Sequence, residues 1–578
     1  MNTGTDIKHS PHPQDGGYGV EKSTSPTHGG ADYDAKQDLH IRGLETSPET
    51  SLERGLKARH ITMIAIGGAI GTGLIVGTGK ALAAAGPGSL FLSYLLVGFI
   101  VYLVMCALGE MATWLPMSAG FTGYASRFCD PSLGFALGWT YWFKYIIVTP
   151  NQLTAAALVI QFWVDREDVN PGVFIAIFLV AIICINYFGI RFFGEFEFWL
   201  SSFKVITIVG VILFALVLTC GGGPDGEAKG FRYWKDPGAF KEVAGTGNWG
   251  RFLGFWSTMI NATFAYLGTE LVGVTVAEAQ NPRKTIPKAI KLTFYRILFF
   301  YILCVLLLGM IVPYNSPDLA FANKQTVGAS ASPFVVAATV AQVKILPHII
   351  NACICVFVFS ASNSDLYIAS RTLYGLASDG SAPAIFKKTD KRGVPVYALG
   401  ASAVFALLAF LNVKDDSRVV FVYFYNLTTI FGLLTWISLL VTHIWWCRAR
   451  KAQNMPNEVM PYTAPLGIWG SYVALGLCII IALTKNFEVF VGGDFGKEKY
   501  KTFITGYLGI PLYLAMIFIH KFVTKSKQVK PHEADFFTGK DIIDREEEAF
   551  LARKEAREEI RGKSKAGWFY RKFIAWLF

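Results

Sequence analysis

Apolar windows of about 20 residues recur along most of this chain, and they constrain its fold more than any other feature. Each window is long enough to cross a hydrocarbon core of about 30 Å as a helix. A hydrophobic fraction of 53% over 578 residues is also too high for one soluble core. We therefore predict an all-α polytopic membrane protein with twelve spans and both termini on one side. The windows lie at about 61–82, 90–111, 132–161, 172–190, 199–219, 253–276, 292–312, 346–370, 396–412, 419–445, 466–484 and 503–522.

Lys and Arg cluster in short loops between alternate windows, which is the pattern of cytoplasmic loops. Both termini are then cytoplasmic as well. The formal charge of +11 is spread over these loops and the tail, not gathered into a nucleic-acid footprint, so we expect no nucleic-acid partner. The basic loop residues are Arg283, Lys284, Lys288, Lys291, Lys387, Lys388, Lys391, Arg392, Arg448, Arg450 and Lys451.

Polar tails flank the apolar region at 57–523. Residues 1–56 are rich in Ser, Thr, Pro and Gly, which predicts a disordered cytoplasmic tail. Its lysines are candidate targets of ubiquitin ligase machinery, or else they remain unmodified. Residues 524–578 form a second cytoplasmic tail, in which Asp541 to Lys565 mix Glu and Arg at helical spacing before an aromatic end. We predict an amphipathic helix that lies on the inner leaflet or on the bundle, or else a solvated helix.

Two apolar windows carry interruptions that a continuous helix would not favour. Residues 66–79 read IGGAIGTGLIVGTG, and each Gly in a helix interior costs about 0.5–1 kcal/mol relative to Ala. Residues 261–270 read NATFAYLGTE, with polar groups and a Gly at bilayer depth. Broken helices five spans apart indicate a five-plus-five inverted repeat with a solute site between them. The alternatives are a Gly-packed helix crossing at the first stretch and a packing notch at Gly268.

Six motifs along the chain carry a recognisable signature. They are GGAIGTGLIVGTGKALAAAGP (67–87), LGEM (108–111), RFCDPSLGFALGWTYW (127–142), FGEFEFW (193–199), GTELVGVTVAEAQNPRKTIPKAI (268–290) and SASNSDLYIASRTLYGLASDGSAPAIF (360–386). These motifs resemble the fungal amino acid permeases of the amino acid/polyamine/organocation superfamily, and the resemblance runs from about Leu56 to Arg450. Three segments, at 149–163, 501–514 and 530–555, are similar to one subgroup, the dicarboxylic (acidic) amino acid permeases.

The resemblance implies a transporter domain at 57–523 in the plasma membrane, driven by proton symport. Its partners are then an amino acid, protons and the lipid bilayer, without a cofactor or a metal. An enzyme is excluded because we find no nucleophile and base pair, metal-ligand spacing or nucleotide loop. A broad-range amino acid permease and a non-transporting amino acid sensor remain as alternatives to an acidic amino acid symporter.

The backbone groups of an amino acid need one anion site and one set of acceptors. Free N–H groups at the start of a half-helix bind a carboxylate without a bulky side chain. Carbonyls of the interrupted sixth span accept from the ammonium group, and Phe264 is either a lid over the solute or a core residue. The predicted carboxylate site comprises Ala69, Ile70, Gly71, Thr72 and Gly73, and the predicted ammonium site comprises Thr263, Phe264 and Ala265.

Residues of the third span are candidates for selecting the side chain of the substrate. General and cation-accepting members of the family resemble one another in having a Glu where this chain has Gln152. A neutral amide there removes repulsion against an acidic substrate and can donate a hydrogen bond. Lys144 lies about two helical turns earlier on the same face. It is a candidate for the second substrate carboxylate, or else it snorkels or pairs with a carboxylate in the bundle.

Proton coupling needs a group whose charge can change. The resemblance places Lys204 where related transporters have a Lys in the space of a sodium ion, with Ser360 and Ser364 as polar neighbours. The alternative is a permanently charged Lys204 paired with Glu197 or Glu195. Glu270 follows the break in the sixth span and is a candidate for the gate or the proton path.

Two further acidic residues, Glu110 and Glu278, require partners at membrane depth. We predict that they form ion pairs at the inner face with Arg127, Arg283 or Arg371.

Overall fold

The computed structural model describes most of the chain beyond residue 70. The described residues are 71–117, 120–188, 190–224, 226–271, 282–317, 319, 332–413, 417–491, 497–541, 543–545, 547–548 and 551–552. The N-terminal tail, Ala69, Ile70, Glu278 and the aromatic C-terminal end lie outside them.

The described residues are helical and contain no β-strand, which agrees with the predicted all-α class. Among them, nine helices are long and apolar enough to cross a membrane, and the helix Pro171–Tyr187 is apolar but shorter. The bounds of helices α1 to α16 are, in chain order, Thr78–Trp114, Gly120–Phe128, Pro131–Ile160, Pro171–Tyr187, Ile190–Thr219, Gly247–Ser257, Met259–Tyr266, Pro282–Arg296, Cys304–Ile311, Pro333–Val340, Leu346–Ser378, Val396–Ala406, Ser417–Ala452, Gly467–Thr484, Lys497–Tyr507 and Gly509–Thr524.

Helix starts follow from local chemistry. The Asp130 side chain accepts a hydrogen bond from the Ser132 N–H, and Pro131 occupies the first turn of α3. Asn170 and Pro171 repeat the arrangement at α4. A capping side chain satisfies an orphan N–H, and proline supplies a helical φ where no N–H is needed.

The sixth window is interrupted as the sequence predicts. Helices α6 and α7 together reach only to Tyr266, and Leu267 then adopts an extended ψ of 146°. Gly268 follows with a φ of +89°, a conformation that a residue with a Cβ rarely adopts. The first window shows a π-helical turn at Gly73–Gly77 that continues into α1. Helix α1 itself contains a kink at Gly86, so it joins the first two predicted windows.

Helices α3, α11 and α13 form the centre of the bundle, because α3 packs against both of the others. The apolar windows of α3 and α13 are each 83% buried, whereas the span 499–524, which includes α16, is 17% buried. Large apolar side chains such as Ile206 on α5 and Phe522 on α16 remain exposed. Outer helices with apolar surfaces suit contact with lipid, and they leave the polar residues to the centre.

The chain after α16 folds back onto the end of the bundle that carries α2. Phe536 is fully buried, with ring centroids 5.1 Å from Phe128 and 4.7 Å from Trp446. The Trp114 indole donates to the Phe536 carbonyl at 2.9 Å. Arg127 forms an ion pair with Asp535 at 2.9 Å. The tail therefore binds to the transmembrane bundle through apolar and charged contacts.

The Asp535 carboxyl favours this contact near neutral pH. Burial alone would raise the pKa of Asp535, but hydrogen bonds from Thr538 and the charge of Arg127 hold that pKa below its usual value. A depressed pKa adds stability above the unfolded value of about 3.9, and this stability is lost as the pH falls through the folded value. The ion pair of Asp535 with Arg127 therefore contributes to docking of the tail near neutral pH.

Replacing Phe536 with alanine should detach the tail. Truncating a buried Phe typically costs about 3–5 kcal/mol, and here the loss falls on the tail contact and the adjacent ends of α1 and α13. Phe537→Ala is the matched control, since its side chain is 59% exposed. We expect a lower thermal unfolding midpoint and faster proteolysis of the tail in Phe536→Ala only. Equal effects from both substitutions would contradict the docking role.

Candidate functional site

A central cavity lies where the π-helical turn, the end of α7, α3 and α11 meet. It takes in about 430 Å³, including the part open to solvent. The break after α7 brings backbone as well as side chains to its wall. The lining residues are Gly71, Thr72, Gly73, Lys144, Tyr145, Val148, Gln152, Phe264, Ala265, Leu267, Gly268, Leu271 and Asp365. Seven of the ten predicted substrate-binding residues are among them.

Gly73 allows the first and sixth spans to cross at the cavity. A Cβ on Gly73 would lie 2.5 Å from the Ala265 Cα and 2.9 Å from its nitrogen. The Tyr94 hydroxyl approaches the Gly73 carbonyl at 3.4 Å, and the Tyr266 hydroxyl donates to the Tyr94 carbonyl at 3.0 Å. The π-helical turn begins at Gly73, and the first N–H groups of a helix generally lack intrahelical partners. This arrangement suits an anionic group of a small solute.

Lys144 and Glu270 form a buried ion pair beside the cavity. Glu270 also accepts a hydrogen bond from the Trp436 indole at 3.3 Å and from the Gly268 N–H at 3.2 Å. The Lys144 ammonium lies 4.7 Å from the Tyr145 ring centroid. The pairing matches the predicted alternative in which Lys144 meets a carboxylate in the bundle. The same ammonium still lines the cavity.

Gln152 connects the first span to α11. The Thr72 hydroxyl donates to Gln152 Oε1 at 2.7 Å, and Gln152 Nε2 donates to Asp365 Oδ2 at 3.2 Å. Asp365 was not among the residues that we predicted from the sequence. An acidic residue inside the eighth apolar window is the signal that could have identified it.

Phe264 closes one side of the cavity. Its ring centroid lies 4.4 Å from that of Tyr425, whose hydroxyl donates to the Asn261 side chain. Thr263 does not line the cavity, because its hydroxyl donates to the Met259 carbonyl along its own helix. Phe264 is therefore both a packed core residue and a wall of the cavity.

Lys204 belongs to a second polar cluster, between α5 and α11. It is fully buried and lies 3.5 Å from Glu197. Ser360 donates to Glu197 at 2.8 Å rather than to Lys204, and Ser201 donates to the same carboxylate at 3.1 Å. The Ser364 hydroxyl is buried without a hydrogen-bond partner among the described residues. The predicted alternative of a Lys204–Glu197 pair is the arrangement that the structure shows.

The partners predicted for Glu110 were wrong. Glu110 accepts from Arg450 at 2.5 Å, and His443 lies 3.3 Å from its other oxygen. Arg450 lies in the last turn of α13, and the spacing of residues in the sequence did not indicate that it would meet Glu110. Glu110, His443 and Cys447 place possible metal-ligating atoms within 4.8 Å of one another, but the Arg450 charge already neutralises the carboxylate.

The three arginines proposed for Glu110 and Glu278 have other described partners. Arg127 pairs with Asp535, and Arg283 pairs with Asp544 at 2.6 Å and Glu547 at 2.8 Å, all in the tail. The Arg371 side chain donates to the Gly393 carbonyl at 3.2 Å. The acidic groups that neutralise the first two arginines thus come from the docked tail rather than from the membrane spans.

A second cavity, of about 480 Å³, lies further along α3 and α11. Tyr141, Arg371 and Asp379 are among its lining residues. Asp365 and Asp379 are 14 residues apart on α11 and its last turn, so they lie on similar faces about 20 Å apart. Burial raises the pKa of Asp379 to about 7, against the opposing charge of Lys387.

Comparison with known proteins identifies relatives over nearly the whole chain. The dicarboxylic amino acid permease of Saccharomyces cerevisiae is 52% identical over 96% of this chain and 90% of its own length. The general amino-acid permease of the same yeast is 38% identical over 90% of this chain and 85% of its own. The proline-specific permease of Emericella nidulans is 39% identical over 87% of this chain and 91% of its own.

Structural comparison supports the same fold at low sequence identity. The manganese transporter of Eremococcus coleocola matches with a TM-score of 0.50 and 13% identity, covering 87% of this chain and 97% of that transporter. The sequence profile described as amino acid permease matches residues 60–533. The chain therefore belongs to the amino acid permease family, as a multi-pass membrane transport protein and not an enzyme.

Proposed function

We propose that this permease carries acidic amino acids, glutamate and aspartate, into the cell together with protons by alternating access. The observation that carries the acidic preference is that Lys144 and Gln152 both line the central cavity, about two turns apart on α3. An ammonium group and an amide can both donate to a side-chain carboxylate. The 52% identity to a dicarboxylic amino acid permease supports the same preference.

The remaining cavity groups suit the part common to all amino acids. The helix start at Ala69 to Gly73 is proposed to bind the α-carboxylate, and the carbonyls near Phe264 and Ala265 the α-ammonium. Phe264 and Tyr425 together close the cavity on one side. Coupling is proposed to use the buried polar groups beside the cavity, which are Lys204, Glu270, Ser360 and Ser364.

The proposed setting is the plasma membrane, with twelve spans, a five-plus-five inverted repeat and both tails in the cytoplasm. The break at Leu267 and Gly268 supports the repeat, because such folds place broken helices at the solute site. The basic loops support the orientation. Ubiquitin ligase machinery is a proposed partner of the tails.

Uptake of labelled glutamate tests this function in cells that lack their own acidic amino acid carriers. We expect unlabelled aspartate to compete strongly and lysine to compete weakly, because Lys144 repels a cationic side chain. Uptake should rise as the external pH falls. Equal competition by alanine, lysine and aspartate would instead indicate a general permease, which the 38% identity to a general amino-acid permease makes the second candidate. Glutamate binding without uptake would indicate a sensor.

A further inference from the structure

Asp365 lies in the middle of α11 and lines the central cavity. Its Oδ2 accepts from the Gln152 amide at 3.2 Å. Its Oδ1 has no hydrogen-bond partner among the described residues, and neither oxygen forms an ion pair with a described cation. Asp365 is half-buried at the cavity wall, so a solute that fills the cavity withdraws it further from water. An ionised carboxylate with only an amide partner is costly to withdraw from water, and such a group tends to take up a proton.

The cations nearest to Asp365 each have a carboxylate of their own. Lys144 on α3 pairs with Glu270, and Lys204 on α5 pairs with Glu197. Lys144, Lys204 and Glu197 all act on Asp365 electrostatically, and Tyr141 and Tyr145 of α3 also face it. Arg296 on α8 interacts electrostatically with Glu270. It adds positive charge near the Lys144–Glu270 pair and does not pair with Asp365. Asp365 therefore remains the carboxylate of the site without a cation of its own.

Binding of an acidic amino acid adds further negative charge beside the Asp365 carboxylate. The amino acid enters with one net negative charge, and its side-chain carboxylate would face the Asp365 carboxylate in a cavity from which the bound substrate displaces water. Like charges in such surroundings repel strongly unless one of them is neutralised. A proton on Asp365 removes the repulsion and turns an acceptor into a hydrogen-bond donor.

We propose that Asp365 carries the coupled proton, and that its protonated carboxyl donates a hydrogen bond from Oδ1 to the side-chain carboxylate of the acidic substrate. This inference rests on the proposed function and assigns its proton to one residue. Asp365 takes up a proton from water on the external side as the substrate binds, and this forms an O–H bond on its carboxyl group. After the substrate leaves on the internal side, the O–H bond breaks and the proton passes to water there. In this scheme the pairs Lys144–Glu270 and Lys204–Glu197 keep their charges throughout. Lys204, Glu270, Ser360 and Ser364 then serve coupling as the fixed charges and polar groups around Asp365 and do not themselves take up the proton.

Gln152 acts as the positioning residue in this scheme. The Thr72 hydroxyl holds Gln152 Oε1, which directs the Nε2 hydrogens to Asp365 Oδ2 and leaves Oδ1 for the proton. A Glu at this position would offer Asp365 a second carboxylate instead of a donor. The neutral amide thus serves the acidic substrate by fixing the proton-carrying carboxyl as well as by avoiding repulsion.

The test measures the KM for glutamate and glutamate-induced proton influx in intact cells, between about pH 5 and about pH 8 outside. In the wild type, KM should rise by up to about tenfold per pH unit above the pKa of the bound proton. Asp365→Asn should give a KM that no longer changes with pH, and glutamate should enter without protons, because the amide donates permanently. Asp365→Glu should keep the pH dependence. If the Asp365→Asn variant reaches the cell surface poorly, calorimetry replaces the uptake assay. The purified wild type and the purified variant are each measured in two buffers, which counts the protons that each takes up on glutamate binding.

Two results would overturn the assignment. One is an Asp365→Asn variant whose KM and proton influx follow pH as in the wild type. The other is loss of proton influx in Asp379→Asn with retention in Asp365→Asn, which would place the proton in the second cavity. A wild-type protein that moves glutamate without protons would instead refute the proposed symport itself, so the two failures are distinguishable.

Discussion

Gly73→Ala should lower glutamate uptake by at least about tenfold while leaving the protein in the membrane. The added Cβ would lie 2.5 Å from the Ala265 Cα, so the two crossing spans must separate. Overpacking of this kind costs about 1–3 kcal/mol, and about 1.4 kcal/mol corresponds to a tenfold change in an equilibrium. Separation would also move Phe264, whose ring lies 3.1 Å from the same Cβ position.

Gly77, another glycine of the same stretch, is the matched control. A Cβ on Gly77 would come no closer than 3.9 Å to any atom outside its own turn, and Gly77 does not line the cavity. Gly77→Ala should therefore transport nearly normally. Initial rates of uptake, divided by the surface amount of each variant, measure the difference. Uptake by Gly73→Ala at the rate of Gly77→Ala would show that the close crossing is not needed for the site.

Glu270→Gln should destabilise the protein strongly, because it leaves the Lys144 ammonium in the bundle without its carboxylate. Removing one partner of a buried ion pair typically costs about 3–5 kcal/mol. Glu270 and Lys144 are both almost fully buried, so water compensates little. We expect a lower thermal unfolding midpoint in detergent and less protein at the cell surface.

The double variant Lys144→Gln, Glu270→Gln separates folding from function. With both charges removed, the unfolding midpoint should return most of the way to the wild-type value. Preference for glutamate over neutral amino acids should not return, because the ammonium group at the cavity is missing. A double variant as unstable as Glu270→Gln would argue against the pair. Lys144→Gln that keeps the wild-type preference would remove Lys144 from substrate recognition.

The sequence predicted those features of the fold that depend on local composition. The apolar windows gave the helices, since a lipid-facing backbone must satisfy its own hydrogen bonds. The glycine and polar groups at 261–270 predicted the break after Tyr266, because that stretch disfavours a continuous helix in lipid. The helix starts at Pro131 and Pro171 lie at the beginnings of the predicted windows 132–161 and 172–190.

The sequence did not predict which distant groups would pair. Lys144 and Glu270 are 126 residues apart, and only the crossing of α3 with the broken sixth span brings them together. Glu110 pairs with Arg450 rather than with Arg127, because the end of α13 lies next to α1. Asp365 stands beside Ser364 in a polar run of the eighth window. Like Lys144, it is a charged residue in an apolar span, and that residue type alone marks it as a candidate functional group.

The sequence allowed a tail helix on the bundle, but it did not predict the contacts by which the tail docks. The segment after α16 is polar and charged, which suggests solvation, yet Phe536 occupies a buried position between Phe128 and Trp446. Its acidic residues neutralise arginines that sequence reasoning assigned to Glu110 and Glu278. Such a contact depends on surfaces created only when the bundle has formed.

The most direct test of proton-coupled acidic amino acid transport uses the purified full-length protein in sealed liposomes. A pH gradient, acidic outside, should drive labelled glutamate to a higher concentration inside than outside, and collapsing the gradient with a protonophore should release it. Lysine should not accumulate under the same gradient. Glutamate that only equilibrates across the membrane, or that accumulates equally without a gradient, would contradict the account.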